Sequence, residues 1–311
     1  MLAETNLRND CSFQRNCSGS KNSDQSPCWI KTCRGVSRPF FSSSLMLAYV
    51  INMDSATDRW MAVQKAFEGT HLKLHRVSGV DGYALKLPIP EYDEALYNRR
   101  HGRPTSPGHV GCYLSHVRAM KAFLATDEPY ALIVEDDLTL LPDFESTIEA
   151  ALECASHWNI LRLTGLSQGT PAKVASLGRG YSLCIGLGRL KGTGAYLIDR
   201  KGAEALSTGM IPMFLPIDHA IDREWVHGIK AAYVLPFPAS QVDSGFRSSI
   251  QIGRSLKLSN ARRWMTTYPY QAYNEISRLL FRSWHYLRAK SALASHRPKP
   301  TGKKELTEAC V

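Results

Sequence analysis

The sequence predicts an α/β protein whose mainly parallel β-sheet is covered by helices on both faces. Strand-like and helix-like segments alternate from residue 45 to residue 235, which is typical of this class. Several predicted strands are short apolar runs, the strongest at 130–134, as expected for strands buried on both faces. With 311 residues, 44% of them hydrophobic, the chain can bury the core of one large domain or two small ones.

The predicted elements follow from local patterns. The apolar run 45–51 predicts a strand, and a helix follows it to about Glu68. Alternating apolar and basic residues at 72–77 predict a half-buried strand, and apolar residues at helical spacing predict a helix over 110–124. The remaining predictions are strands at 130–134, 158–163, 181–187, 192–198 and 230–235, and helices at 143–156, 200–208 and 217–227.

Three regions are predicted along the chain. Residues 1–44 lack a hydrophobic period, and we expect a disordered leader or an artefact of start-site choice, since Met46 opens directly into a strand. Residues 45–250 form the predicted catalytic domain, and 251–311 form a basic helical tail. Between Arg254 and Lys304 there are twelve Lys or Arg and one acid, Glu275, so this segment carries +11 and the remainder carries −1.

Within the tail, residues 275–290 predict an amphipathic helix. Its apolar side is formed by Ile276, Leu279, Leu280, Trp284 and Leu287, and its basic side by Arg278, Arg282, His285 and Arg288. Three interpretations stay open: the helix rests on an anionic membrane surface, it binds nucleic acid, or it packs on the body with its basic face in solvent. We expect no nucleic acid partner, because no recognised nucleic-acid motif is present.

Composition also bears on location. The longest apolar run near the start, 45–51, is far below the ~20 residues of a membrane span, and a secretory pattern is absent from the N-terminus. The eight cysteines are scattered or lie in the Ser-rich leader, so we expect reduced thiols. The sequence thus predicts a cytoplasmic protein, with the inner face of the membrane as a possible peripheral location.

The acidic run Glu135-Asp136-Asp137 is the leading candidate for chemistry. It follows five apolar residues and so falls at the carboxyl end of a buried strand, where α/β proteins bind ligands. Alternation along a strand places Glu135 and Asp137 on one face and Asp136 on the other. Hard oxygen ligands suit Mn²⁺ or Mg²⁺, which can neutralise a departing diphosphate. The alternative is that the acids cap the next segment and pair with basic side chains.

Five elements together resemble glycosyltransferase family 25, the lipooligosaccharide galactosyltransferases, which are related to the collagen galactosyltransferases. They are Tyr49-Val-Ile-Asn52 with Arg59, Gly111-Cys-Tyr-Leu-Ser-His116, Val134-Glu-Asp-Asp137, Gly192-Thr-Gly-Ala-Tyr-Leu-Ile198 and Pro216-Ile-Asp218. The resemblance runs from about 46 to 240. It implies a GT-A type fold for nucleotide-diphospho-sugars, a UDP-sugar donor, often UDP-galactose, Mn²⁺ dependence and inversion at the anomeric carbon.

With this resemblance, roles are assigned to individual residues. We expect Glu135 and Asp137 to hold the metal, and Asn52, Arg59, Ser115, His116, Glu135, Asp136 and Gly194 to bind the donor. Asp218 is the candidate general base and Asp222, one helical turn further, its substitute. Each has a structural alternative: Arg59 as a surface residue, His116 as a buried structural histidine, and Asp218 as an acid that stabilises a helix N-terminus.

The predicted activity is transfer of a hexose, galactose first among them, to a saccharide acceptor of the lipooligosaccharide or lipopolysaccharide class. Two other functions are compatible with the same residues. One is a Mg²⁺-dependent enzyme of phosphoryl or nucleotidyl transfer, and the other is a basic membrane-binding or nucleic-acid-binding protein without catalysis.

Overall fold

A computed structural model of the protein describes residues 46–241 and 259–295. The strands are β1 (Leu47–Asn52), β2 (Lys73–Ser78), β3 (Tyr130–Glu135), β4 (Thr139–Leu140), β5 (Ile160–Arg162), β6 (Pro171–Gly178), β7 (Tyr181–Gly186), β8 (Ala195–Asp199), β9 (Ala231–Leu235) and β10 (Ala239–Ser240). The helices are α1 (Thr57–Ala66), α2 (Glu94–His101), α3 (Pro107–Leu124), α4 (Phe144–Leu152), α5 (Arg200–Gly209), α6 (Ile217–Ile221), α7 (Glu224–His227), α8 (Asn260–Met265) and α9 (Thr267–Ser295). The predictions that fall on 1–45, 242–258 and 296–311 lie outside the described residues.

The central sheet has eight strands in the order β2-β1-β3-β8-β5-β9-β7-β6. Strands β1 and β2, β1 and β3, and β5 and β9 pair in parallel, whereas β7 and β8 run antiparallel to their neighbours. Six of the eight strands therefore point the same way, as predicted. The two reversed strands make the sheet mixed, and short β4 and β10 pair separately beside it.

Helices cover both faces of the sheet. On β3, Leu132 and Val134 pack into a core with α4 and part of α1, while Ala131 and Ile133 pack into a second core with α3 and α5. The strand is fully buried because both of its faces meet helices, which explains its continuous apolar sequence. The predicted α/β class with two covered faces is confirmed.

Several elements differ from the prediction. Helix α2 was not predicted, although Asp93 accepts a hydrogen bond from the Leu96 amide at its start and Gly102 ends it with a positive φ of 78°. Strand β6 was also missed, because it is an edge strand without a strong apolar run. The single helix predicted over 217–227 is two short helices, α6 and α7.

Helix α9 of the tail packs on the rest of the chain through part of its basic side. This is the reverse of the interpretation in which the basic side faces solvent. Arg278 and Arg282 are each 2% exposed, and both contact acids of the body. The residues of the predicted apolar side (Ile276, Leu279, Leu280, Trp284 and Leu287) are all exposed instead. The interpretation in which the basic side faces solvent is therefore wrong for these two arginines, because buried carboxylates hold them more strongly than water does.

Two further expectations can be compared with the structure. Cys112 and Cys184 are free thiols, but Cys154 is disulfide-bonded, so the expectation of reduced cysteines is wrong for that residue. Among the described helices, none combines the length and the apolar character needed to cross a bilayer.

Candidate active site

The acidic run lies where β3 ends, near the middle of the sheet between β1 and β8. The Glu135 amide donates to the carbonyl of Gly194 over 2.8 Å, which ties the end of β3 to the residues before β8. The strand delivers its last residue, Glu135, and the turn that follows delivers Asp136 and Asp137. All three carboxylates are only partly exposed.

Asp136 is neutralised by residues from the first βα unit. Its carboxylate accepts a hydrogen bond of 2.6 Å from Asn52 Nδ2 and forms an ion pair with Arg59, whose Nη1 lies 3.0 Å away. The other side of the Asn52 amide, Oδ1, accepts two hydrogen bonds from Arg76, at 2.6 and 2.9 Å. The structure thus joins Asn52, Arg59 and Asp136 into one cluster, in which Arg59 pairs with an acid of the protein.

Glu135 and Asp137 are linked in a different way. Nε2 of Gln241 lies 3.3 Å from Glu135 Oε2 and 3.2 Å from Asp137 Oδ1, so the two oxygens converge on one point. Burial raises the pKa of Asp137 to about 6, and the nearby charge of Glu135 adds to the rise. The Gln241 amide carries no charge to offset the two carboxylates it links, and this donor set of convergent hard oxygens fits a divalent cation such as Mn²⁺ or Mg²⁺.

Sequence analysis missed Gln241. It lies about a hundred residues from the acids and carries no local signal, since glutamine is common on surfaces. An indirect signal exists at Gly194, where an added Cβ would lie 2.4 Å from the Gln241 side chain. Gly194 is thus required for the close approach of Gln241, and no hydrogen bond from Gly194 to a donor sugar is needed to explain the glycine.

Helix α3 supports the other side of Glu135. His116, which is fully buried, lies with Nε2 3.3 Å from Glu135 Oε1 and with Nδ1 3.1 Å from the Tyr196 hydroxyl. Thr193 Oγ1 lies 3.4 Å from the same Glu135 oxygen. His116 therefore orients the Glu135 carboxylate from within the protein core, and because it is fully buried it cannot contact a nucleotide.

Two other motif residues on α3, Gly111 and Ser115, contact the loop that contains Val80. Ser115 donates its hydroxyl to the Gly111 carbonyl at 2.7 Å and accepts from the Val80 amide at 2.8 Å. A Cβ on Gly111 would lie 2.4 Å from the Val80 carbonyl oxygen, so this position requires glycine. Ser115 is 3% exposed and its hydroxyl is used within the protein, which corrects its predicted role in donor binding.

The two candidate bases have different environments. Asp218 is partly exposed in the first turn of α6, and its Oδ1 accepts from the His219 amide at 2.9 Å. Burial raises the pKa of the Cys112 thiol, and the charges of Glu135, Asp218 and Asp137 raise it further. Asp218 thus contributes, together with Glu135 and Asp137, to the negative charge around this thiol.

Asp222 does not face a substrate. It is 1% exposed and lies 2.7 Å from Arg282, 3.0 Å from Arg278 and 3.7 Å from Arg162. Burial acts to raise the pKa of Asp222, but the three arginines hold it below its usual range. The prediction of Asp222 as a substitute general base is wrong, since a buried carboxylate with three cationic partners cannot reach an acceptor.

The family model of glycosyltransferase family 25, described as an LPS biosynthesis protein family, matches residues 46–177. This segment contains the Asn52 cluster, the α3 motif and the acidic run at the end of β3. The match to glycosyltransferase family 25 covers 132 of the 311 residues. The family resemblance noted from the sequence is confirmed, while Gly194, Asp218 and Gln241 lie beyond the matched segment.

Curated relatives agree with the family 25 domain. The chain is 24% identical over 215 residues to a glycosyltransferase 25 family member of Aedes aegypti, a match that covers 62% of this chain and 34% of the relative. It is 23% identical over 202 residues to procollagen galactosyltransferase 1 of Danio rerio, covering 58% of this chain and 33% of the relative. The chain spans about a third of the length of these relatives.

Among solved structures, the chain aligns with a glycosyltransferase involved in the glycosylation of the major capsid of PBCV-1. The alignment has a TM-score of 0.27 and 10% identity, and it covers 52% of this chain and 62% of the other. A similarity this low carries no argument about the family 25 domain.

Proposed function

We propose that the chain is a glycosyltransferase that moves a hexose from a UDP-sugar to a saccharide hydroxyl. Galactose is the first candidate for this hexose. The observation that carries the proposal is the contrast within the acidic run. Asp136 is neutralised by Arg59, whereas Glu135 and Asp137 converge on the neutral Gln241 amide in the described part of the chain. Such a pair is costly unless a cation binds to it during function.

Each group has one task in the proposed transfer. Glu135 and Asp137 would hold Mn²⁺ or Mg²⁺, which when bound supplies positive charge for the departing diphosphate. Asp136 fixes Asn52 and Arg59 beside the donor, and His116 fixes the orientation of Glu135. Asp218 accepts the proton of the acceptor hydroxyl, which suits a single displacement with inversion.

The finer parts of the proposal rest on the family. The resemblance to family 25 implies a GT-A type of fold, a UDP-sugar donor and Mn²⁺, and the matching family model is described as an LPS biosynthesis protein. We propose a lipooligosaccharide or lipopolysaccharide acceptor and a cytoplasmic location on this basis. A collagen-type acceptor, suggested by the name of the Danio rerio relative, is the alternative to be compared in the same assay.

The test begins with nucleotide binding. Thermal unfolding is measured with UDP alone, Mn²⁺ alone and both together, and we expect stabilisation that requires both. Release of UDP from UDP-hexoses is then measured with glycolipid and collagen-peptide acceptors. Transfer of phosphate or a nucleotide without a sugar acceptor would favour the phosphoryl-transfer alternative, and no response to any nucleotide would favour a binding protein.

The decisive substitution is Asp137→Asn, which keeps the size of the side chain and removes its charge. We expect turnover to fall by about 100-fold or more, because a donor of the cation is lost, while the unfolding midpoint does not fall. The matched control is Asp143→Asn, at a partly exposed acid that pairs with Arg179. Equal turnover in both variants would remove Asp137 from the mechanism.

We also propose that α9 rests on an anionic membrane surface. Six large side chains on its outer side are between 49% and 68% exposed, namely Tyr273, Ile276, Leu279, Leu280, Trp284 and Leu287. Basic residues accompany this apolar stripe, with Arg288 stacked over Trp284 and Arg262 exposed on α8. Apolar side chains entering the interface, with cations near anionic headgroups, are the combination that binds such surfaces.

Vesicle sedimentation tests this surface. We expect binding to vesicles that contain phosphatidylglycerol and little binding to neutral phosphatidylcholine vesicles. The double variant Leu280→Gln/Trp284→Gln should lose the binding, whereas Leu166→Gln, at an exposed leucine elsewhere, should keep it. Equal sedimentation of all variants, or a stripe that instead mediates dimers in solution, would contradict the proposal.

A further inference from the structure

A second set of metal-binding atoms meets at Glu135. Cys112 and His116 are four residues apart on α3 and therefore lie on the same side of the helix. The Cys112 thiol, an imidazole nitrogen of His116 and a carboxylate oxygen of Glu135 all lie within 4.8 Å of one another. Cys112 and Glu135 are partly exposed, and His116 is buried behind them.

The chemistry of this set differs from that of the proposed Mn²⁺ pair. Sulfur and imidazole ligands favour zinc-like cations over Mn²⁺, and three protein ligands with one open position are typical of reactive zinc sites. The Tyr196 hydroxyl lies 3.1 Å from Nδ1 of His116, which fixes the ring so that Nε2 faces Glu135. A hydrogen-bonding group behind a ligating histidine is a regular feature of built metal sites.

We propose that Cys112, His116 and Glu135 form a binding site for a thiophilic divalent cation of the zinc type. The site shares Glu135 with the proposed Mn²⁺ pair, so that the two cations compete for one carboxylate. Binding converts the Cys112 thiol to a thiolate bonded to the metal, and its proton is released to solvent. Zinc at this site would then act as an inhibitor of Mn²⁺-supported transfer, a consequence that rests on the proposed function.

The site itself is tested without any assay of activity. Co²⁺ serves as the probe for zinc, because tetrahedral Co²⁺ with a thiolate ligand has intense visible bands and a sulfur-to-metal band in the near ultraviolet. We expect both bands in the full chain and their loss in Cys112→Ser. The matched control Cys184→Ser removes the other free thiol of the described residues, and it should keep the bands.

Two outcomes would overturn the site: equal spectra for the full chain and Cys112→Ser, or a spectrum of octahedral Co²⁺ without sulfur. Zinc affinity, measured by competition with a chromophoric chelator, gives a second measure, and we expect Cys112→Ser to weaken it by about tenfold or more. Unchanged far-ultraviolet circular dichroism shows that the variant is folded.

The inhibitory consequence is measured separately. With Mn²⁺ in excess, we expect added Zn²⁺ to inhibit the full chain and to require about a tenfold higher concentration in Cys112→Ser. Inhibition at the same Zn²⁺ concentration in both would refute competition at Glu135 through this cysteine. A chain that gives the cobalt bands but transfers no sugar would keep the metal site and refute the proposed function instead.

Discussion

Asp136 and Asp137 are adjacent and chemically identical, yet the structure gives them different surroundings. Asp136 meets Asn52 and Arg59, while Asp137 turns toward Glu135 and Gln241 and has a raised pKa of about 6. The two residues lie in the bend that follows β3, and this bend directs their side chains to different partners. At this scale, an acid that pairs with no cationic side chain in the described residues is a better candidate for function than an acid held by an arginine.

The candidate bases Asp218 and Asp222 can be separated by a pair of substitutions. We expect Asp222→Asn to destabilise the fold by about 3–5 kcal/mol, because three buried arginines lose the charge of their shared partner. Asp218→Asn should leave the unfolding midpoint nearly unchanged and lower turnover, since this residue is partly exposed. Urea unfolding and turnover per folded molecule check both, and a stable but inactive Asp222→Asn would reverse the assignment.

His101 gives a prediction about pH. Burial lowers its pKa from 6.5 to about 4, with further lowering by His219, Arg103 and His109 and opposition from Asp218. The unfolded chain therefore binds a proton that the folded chain does not between pH 6.5 and pH 4, so stability falls as the pH falls through this window. The loss from this residue is about 3 kcal/mol at its full extent.

Urea unfolding at pH 7.5 and pH 4.5 measures this effect. His101→Gln does not titrate, and we expect it to lose less stability on acidification than the unmodified chain. The stability of His101→Gln relative to the unmodified chain should therefore be higher at pH 4.5 than at pH 7.5. An identical pH dependence in both would show that His101 is not the group that titrates.

At the scale of elements, α9 is the clearest departure from sequence reasoning. A helical pattern separates the apolar side from the basic side, but it does not show which side the body covers. The body presents Asp222 and Glu224, both buried, and Arg282 bonds to both of them and to the carbonyls of Gly186 and Gly188. These acids are distant from α9 in sequence, so only the folded chain reveals that the basic side is the inner one.

A matched pair of substitutions on α9 checks this packing. We expect Arg282→Gln to destabilise the fold by about 3–5 kcal/mol, because two buried carboxylates lose a shared cation. Leu280→Gln, two residues away and exposed, should change stability by about 0.5 kcal/mol or less. Chemical denaturation of both variants measures the difference, and a larger effect at Leu280 would show that the apolar side is the packed one.

At the scale of the whole molecule, the ion pairs of α9 with Asp222 and Glu224 cross the predicted boundary between 45–250 and 251–311. Arg278 and Arg282 of the tail supply charge that the buried acids of the body need. The tail is thus in contact with the part of the chain that carries the candidate site.

Removal of the tail tests whether the part of the chain before it is stable on its own. We expect a chain that ends at Gln241 to lose cooperative unfolding or to melt well below the full chain, because Asp222 would lose Arg278 and Arg282, and Glu224 would lose Arg282. Circular dichroism melting of both chains gives the comparison. A truncated chain that melts within a few degrees of the full one would show that the chain up to Gln241 folds without the tail.

The sequence by itself determined the α/β class, most of the strands, the family and the location of the acids, because these follow from local periodicity and from motifs of adjacent residues. Only the tertiary structure decided which acids are neutralised, that Gln241 links Glu135 to Asp137, that Asp222 is buried and that α9 packs through its arginines. The physical reason is the same in each case: compensation of a buried charge depends on which distant side chain comes within a few ångströms, and local sequence does not encode that distance.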